Sequence, residues 1–179
     1  MSSFGSITSF LHSNNLILQR SNKFAVNLRN PSGKTLNWML CEMVNLPTNG
    51  IGSTAYQIDN KPNMYIPYTR NYDNNQFTVT LRENIQSNRH TVYPWLEEWL
   101  NLVVSKNPIT RKYEISYYND CLGSANFISY DLDMTPVFSI NFYKIYPISV
   151  KPSQYSYEEM NTYNRIEASF VFEEFEIIK

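Results

Sequence analysis

The sequence predicts a mainly β domain, a sandwich or barrel-like packing of strands with one α-helix on its outside. Three observations carry this. Apolar residues alternate with polar ones at period two in segment after segment, the signature of half-buried strands. Only one long stretch follows the helical period instead. The 179 residues are enough for a single domain that buries about 70% of its unfolded surface, so it needs no disulfides or metals to hold a core.

The elements follow in order. Residues 4–15 place Ile7, Phe10 and Leu11 at helical spacing after Ser6, a good N-cap, and Asn14 and Asn15 end the pattern. A helix this short needs something to dock on. Over 22–29, Phe24, Val26 and Leu28 alternate as a strand, and Asn30-Pro31-Ser32-Gly33 turns the chain. The return strand over 36–46 starts on Leu36, Trp38 and Leu40 and then shifts to Cys41 and Met43, which implies a bulge or a change of face. Residues 47–63 read as a loop with a short strand-like piece at 54–58, and Pro67 marks 63–69 as an edge or extended arm. The clearest strand is 76–82, with Phe77, Val79 and Leu81 on one face.

The period then changes. Trp95, Leu96, Trp99, Leu100, Val103 and Val104 form one helical stripe over 94–104, with Pro94 in the first turn and Glu97 and Glu98 near the positive end of the dipole. Strands are expected at 111–118, 126–132, 137–145 and 165–178, with Tyr146-Pro147 breaking the third and a Tyr-rich loop over 149–164. The chain divides into an N-terminal arm, 1–21, and a β domain, 22–179.

Composition narrows the function. Fifteen basic residues against sixteen acidic ones, with no Lys/Arg cluster, argue against a phosphate-gripping nucleic-acid binder. No run of 18 apolar residues is present, so no helical membrane span is expected. Residues 1–20 lack a basic n-region and a cleavage site, and are not expected to be a signal peptide. The two cysteines, Cys41 and Cys121, imply no disulfide framework and fit a reducing compartment. Aromatics are abundant at 15%, with 14 Tyr, while charged residues are only 17%. Tyr gives large contact area at low entropy cost, so Tyr in loops and edges reads as surface that expects a neighbour.

Catalytic chemistry finds no support. Gly33-Lys34-Thr35 lacks the earlier glycine of a P-loop, since position 28 is Leu28, and reads as a turn. His12 and His90 have no ligand-spaced partners, so neither a metal nor a cofactor is expected. Cys121 near His90 would need an oxyanion motif, and Asn119-Asp120-Cys121-Leu122-Gly123 reads as a turn. Adjacent carboxylates such as Glu97/Glu98 and Glu158/Glu159 point apart and do not form an acid/base pair. The chain is not expected to be an enzyme.

A family resemblance enters with the order of these elements. Phe24-Ala25-Val26, followed by a strand that ends Glu42-Met43-Val44-Asn45-Leu46-Pro47, resembles the opening of the tail tube proteins of contractile, myovirus-like bacteriophages. Asn71-Tyr72-Asp73, then Phe77 to Leu81 with Arg82-Glu83-Asn84, is similar to the family's central strand. Pro94-Trp95-Leu96-Glu97-Glu98-Trp99 is similar to its Trp-rich helix, the Tyr146-Pro147 segment to its aromatic-Pro corner, and Asn164-Arg165-Ile166 through Phe172 to its last strand. The resemblance spans about 22–178.

The resemblance implies hexameric rings, a homohexamer stacked into the inner tail tube that conducts phage DNA without specific binding. A tail sheath would lie outside, a baseplate hub and a tail terminator at the ends, and a tape measure protein inside. The tube would belong to the virion, assembled in the host cytoplasm. It further implies inter-ring contact through Phe4, Ile7, Phe10 and Leu11, and an inter-subunit loop with Pro47, Ile51, Tyr56 and Ile58. Trp95, Trp99 and Val103 would pack the helix outside the barrel, and Glu173, Glu174 and Glu176 would form an acidic lumen strand. Three other roles stay open. One is a tube initiator, terminator or baseplate-junction protein of the same fold. Another is the tube of a phage-like injection apparatus. The third is a carbohydrate-binding β-sandwich, whose aromatics would stack on sugars.

Overall fold

A computed structural model describes residues 21–56, 64–72, 75–87, 89–152 and 163–178. The expected helix at 4–15, the 58 end of one strand-like piece and most of the 149–164 loop lie outside these residues.

The strands are β1 (Phe24–Arg29), β2 (Cys41–Asn45), β3 (Asn49–Tyr56), β4 (Met64–Tyr72), β5 (Gln76–Arg82), β6 (Ile85–Gln86) and β7 (Arg89–His90). After the helix α1 (Val92–Val103) come β8 (Val104–Lys106), β9 (Tyr113–Ile115), β10 (Gly123–Tyr130), β11 (Pro136–Pro152), β12 (Arg165–Val171) and β13 (Glu174–Ile178). One antiparallel ladder runs β1-β10-β11-β12-β5-β2, with β13 also on β11. It curls on itself: Phe77 of β5 meets Phe142 of β11 with ring centroids 4.6 Å apart, although the two strands are not neighbours in the ladder. The result is a sandwich of two halves, closed by an aromatic interior that adds Phe170 and Phe172. Burying each of these rings stabilises the fold by roughly 1.5–3 kcal/mol.

β11 belongs to both halves. Its first part pairs with β10 and β13, its second with β12. The inward residues are Ile140 and Phe142, then Ile145 and Pro147, so the buried phase moves from even to odd. The partner does the same, from Ile166, Ala168, Phe170 and Phe172 to Phe175. Because both strands change phase at one level, the pairing is interrupted for two residues and resumes in the same register, from Tyr146↔Val171 to Tyr143↔Glu174. Lys144, with φ 53°, is the extra residue opposite β10, where Gly123 pairs Ile145 and Ser124 pairs Tyr143.

Several expectations are corrected. Tyr146-Pro147 does not break the strand, which continues to Pro152. Pro147 sits where β10 has ended and where the register with β12 skips Ile148, so no ladder bond needs its missing N–H. Much of 47–63 is strand rather than loop, because Asn49–Tyr56 pairs with Met64–Tyr72. The strand expected at 111–118 is only Tyr113–Ile115. The expected strand at 36–46 opens with a 3-10 turn at Trp38–Leu40, and a register shift between Cys41 and Met43 supplies the change of face. The turn at 30–33 is closed by Gly33 N–H donating to Asn30 O (3.0 Å) and Lys34 N–H to Asn30 Oδ1 (2.9 Å), with Gly33 at φ 78°.

α1 starts two residues earlier than its stripe suggests, so Glu97 and Glu98 fall outside the first turn. Glu98 instead meets Lys34 Nζ at 2.6 Å. The positive end of the helix is held by Glu83, at the end of β5. Its Oε1 accepts from the N–H groups of Asn84 (3.0 Å), Thr91 (3.0 Å) and Val92 (2.9 Å), and its Oε2 from Tyr93 (3.0 Å). Thr91, at the N-cap position, makes no side-chain cap of its own.

Candidate assembly surfaces

The described residues offer no catalytic constellation. Among them no group of three or more His, Cys, Asp or Glu side chains could hold a metal ion. Cys121 is buried, its Sγ donates to Tyr118 O at 3.0 Å, and burial pushes its thiol pKa up. Burial likewise pushes Cys41 up to about 12. Both thiols stay protonated at neutral pH and are poor nucleophiles. No helix among the described residues is long and apolar enough to cross a membrane. What the fold does offer is surface.

The first surface is an arm. β3 and β4 pair with each other and join no other sheet among the described residues. Eight residues of strand reach roughly 25 Å. Alternation is weak here because neither face is buried: Ile51 is 71% and Tyr65 68% exposed, with Tyr56, Met64 and Ile66 also open. No charged residue occurs in 49–56 or 64–67. Gly50 and Gly52 lie on one strand and Pro67 on the other, at the register irregularity between Gly52 and Ser53. Of the residues expected to make an inter-subunit loop, Ile51 and Tyr56 stand on this arm, Pro47 is half-buried at its root, and Ile58 lies outside the described residues. Phe4, Ile7, Phe10 and Leu11 lie outside them as well.

The second surface is the seam of the sandwich. β1 and β2 end the ladder, and a groove of about 530 Å³ runs between them, lined by Phe24, Phe127, Met43, Val44 and Leu46.

The third is an acidic edge. Glu174 and Glu176 point outward on β13, and Tyr143 Oη donates to Glu176 at 3.1 Å. Asn126 donates to Asn141 beside them, and a row of pairing residues runs Asn27, Asn126, Asn141, Glu176 across the sheet. Glu173 sits at the level of the kink, 2.8 Å from Lys144 Nζ. That ammonium holds the Glu173 carboxyl below its usual range, and the carboxylate in turn raises Lys144.

The helix sits beside these surfaces as a packed support. Trp95 and Trp99 are buried, crossing edge-to-face at 5.4 Å, and Val103 packs half-buried against the core. Trp99 Nε1–H donates to Cys121 O at 3.0 Å. Gly123 permits this: a Cβ there would overlap Arg29 O and lie 2.5 Å from the Trp99 ring.

The family model described as phage tail tube protein matches residues 12–178. The chain belongs to the phage tail tube protein family. No curated protein matches it. Solved structures of similar fold include the sheath-tube complex of the extracellular contractile injection system PVC, at TM-score 0.62 and 11% identity, covering 97% of this chain and 99% of that one. Another is the tube terminating cap of the anti-feeding prophage, at 0.63 and 10%, covering 90% and 91%. A third is the baseplate of the same prophage, at 0.61 and 8%, covering 90% and 95%. At these identities the likeness is one of fold. Within that fold, Glu83 is the tail tube family member's supporting residue that helix patterns miss. It lies eight to ten residues before the helix-start N–H groups it holds, outside any capping box.

Proposed function

We propose that this chain is the subunit of the inner tube of a contractile phage tail, closing as homohexameric rings that stack into a conduit for DNA. The observation that carries the reading is the β3–β4 arm, exposed on a tail tube fold and carrying open apolar side chains with no charge in 49–56 or 64–67. A surface of that kind on a soluble particle expects a neighbour. The arm, with Pro47, Ile51, Tyr56 and Ile58, reaches an adjacent subunit, and Phe4, Ile7, Phe10 and Leu11 dock on the neighbouring ring. Residues 1–21 thus act as an arm and 22–179 as the tube domain.

Glu173, Glu174 and Glu176 face the bore. A basic lining would trap phosphates by counterion release, whereas carboxylates and amides let DNA slide. A sheath surrounds the tube, a baseplate hub and a terminator meet its ends, and a tape measure protein fills it before DNA does. The assembled tube is part of the virion and is built in the host cytoplasm.

Negative-stain microscopy of purified protein tests this. Rings or tubes of uniform bore are expected, and monodisperse monomers at high concentration would refute it. Deleting residues 1–13 is expected to abolish long tubes while leaving soluble protein, and long tubes from that variant would exclude the N-terminal contact.

A second reading places the same fold in a phage-like injection apparatus, or as a tube initiator, terminator or baseplate-junction protein. It is favoured by the likeness to injection-system tube, cap and baseplate structures. Labelling the chain in intact particles separates the roles: density along the whole tube marks a main subunit, density at one end an initiator or terminator.

A further inference from the structure

We propose that the β3–β4 arm of one copy seats in the groove between β1 and β2 of another, adding its strand to the free edge of β1. The inference rests on the reading that copies assemble and names the seat of the arm.

Both halves of the contact are visible in one chain. Leu28 O accepts from Leu36 N–H on the outer side of β1 (3.0 Å), while Lys23 O faces the other way and accepts from Tyr130 N–H (2.9 Å). An antiparallel strand alternates its bonding direction, so Val26 and Phe24 point their N–H and C=O groups outward as Leu28 does. Among the described residues these groups have no strand partner, since β1 pairs only with β10 and the bridge Arg29↔Thr35 covers only its end. An open edge beside a groove with an apolar stretch is the geometry of strand addition. The groove floor is Phe24, Phe127 and Val44 with Met43 and Leu46 at its lip. Two charged side chains also line it: Glu42, already held by Arg165 (2.8 Å) and Arg82 (3.5 Å), and Lys23, whose Nζ lies 3.4 Å from Met134 Sδ.

The arm fits in kind. Pairing puts Tyr56, Met64 and Ile66 on one face of the arm and Tyr65 on the other, so either face brings exposed apolar side chains to the groove. Its own strands supply a free edge to pair with Phe24 and Val26. Arm and groove are different surfaces, so the contact is heterologous: each copy gives an arm and receives one. Such a contact closes into rings or propagates into filaments unless two copies exchange arms reciprocally.

The test is a disulfide across the contact. In a Cys41→Ser background, Met43→Cys marks the groove and Tyr65→Cys the arm. Oxidation of the double variant under assembling conditions is expected to give a ladder of dimers, trimers and higher species on a non-reducing gel, with each single variant running as monomer. Assemblies that are visible by microscopy but give no ladder would overturn the seat and leave the tube reading standing. An internally crosslinked monomer would overturn it too, because the arm would then serve its own chain. Protein that stays monomeric by microscopy and by gel would sink the assembly reading itself. As a second measure, Met43→Lys with Leu46→Lys is expected to keep the thermal melt of the parent and lose assembly. Unchanged assembly would exclude the groove.

Discussion

Glu83 holds the start of α1 through three backbone N–H groups, and its removal has a calculable cost. In Glu83→Ala the N–H groups of Thr91, Val92 and Tyr93 lose a charged acceptor at 2.9–3.0 Å. The carboxylate is 5% exposed, so water replaces it poorly. A lost helix cap costs about 0.5–2 kcal/mol, and a charge-assisted bond roughly 1.5–3 kcal/mol. Shared acceptors are not additive, so a total of about 2–4 kcal/mol is expected. Glu83→Gln keeps one acceptor oxygen without the charge and should lose about half as much. Urea unfolding followed by Trp fluorescence reads this directly, because Trp95 and Trp99 ride on the helix. In a domain of this size the thermal midpoint of the Ala variant should fall by roughly 5–12 °C. A loss under about 0.5 kcal/mol, or equal losses in the Ala and Gln variants, would refute the capping argument.

Other outcomes follow from neighbouring contacts. Gly123→Ala should destabilise by at least about 2 kcal/mol, because the added Cβ meets Arg29 backbone and the Trp99 ring; chemical denaturation reads it. Trp99→Phe should cost at least about 1 kcal/mol more than Trp95→Phe in the same assay. It strands the Cys121 carbonyl, whereas the Trp95 indole N–H has no partner among the described residues. For pH, the hydrogen bond from Arg165, with Arg82 assisting, holds the Glu42 carboxyl below the usual carboxylate range. Its folded value is thus depressed, so its stabilisation is complete above the unfolded carboxyl range and is lost as pH falls through the folded value. The stability gap between wild type and Glu42→Gln, measured by urea midpoint, should be constant from pH 8 to 5 and close below pH 4. A gap that persists at pH 2 would contradict this.

Legibility in the sequence tracked burial. Phe77, Val79 and Leu81, or Ile166, Ala168 and Phe170, bury one face of a strand, and period two is then compulsory. The helix stripe was equally plain, yet its start was displaced because its cap is Glu83, a tertiary partner that no local pattern encodes. The arm read as loop for the opposite reason. Ile51, Tyr56 and Tyr65 bury no face on the described body, so nothing imposes alternation on them. Pro147 looked like a breaker because the end of β10 and the skipped Ile148, which excuse its missing N–H, are decided elsewhere in the chain. The surfaces were legible only as composition: excess Tyr and scarce charge promised neighbours without saying where they sit.

The matched kink of β11 against β12 and β13 bears on how the molecule carries force. Two sheets held only by side-chain packing can slide past each other when pulled. Here β11 runs through both, so sliding would require its ladders with β10, β12 and β13 to shear as well. A load applied to one sheet of this subunit therefore reaches the other along covalent strand, through β11.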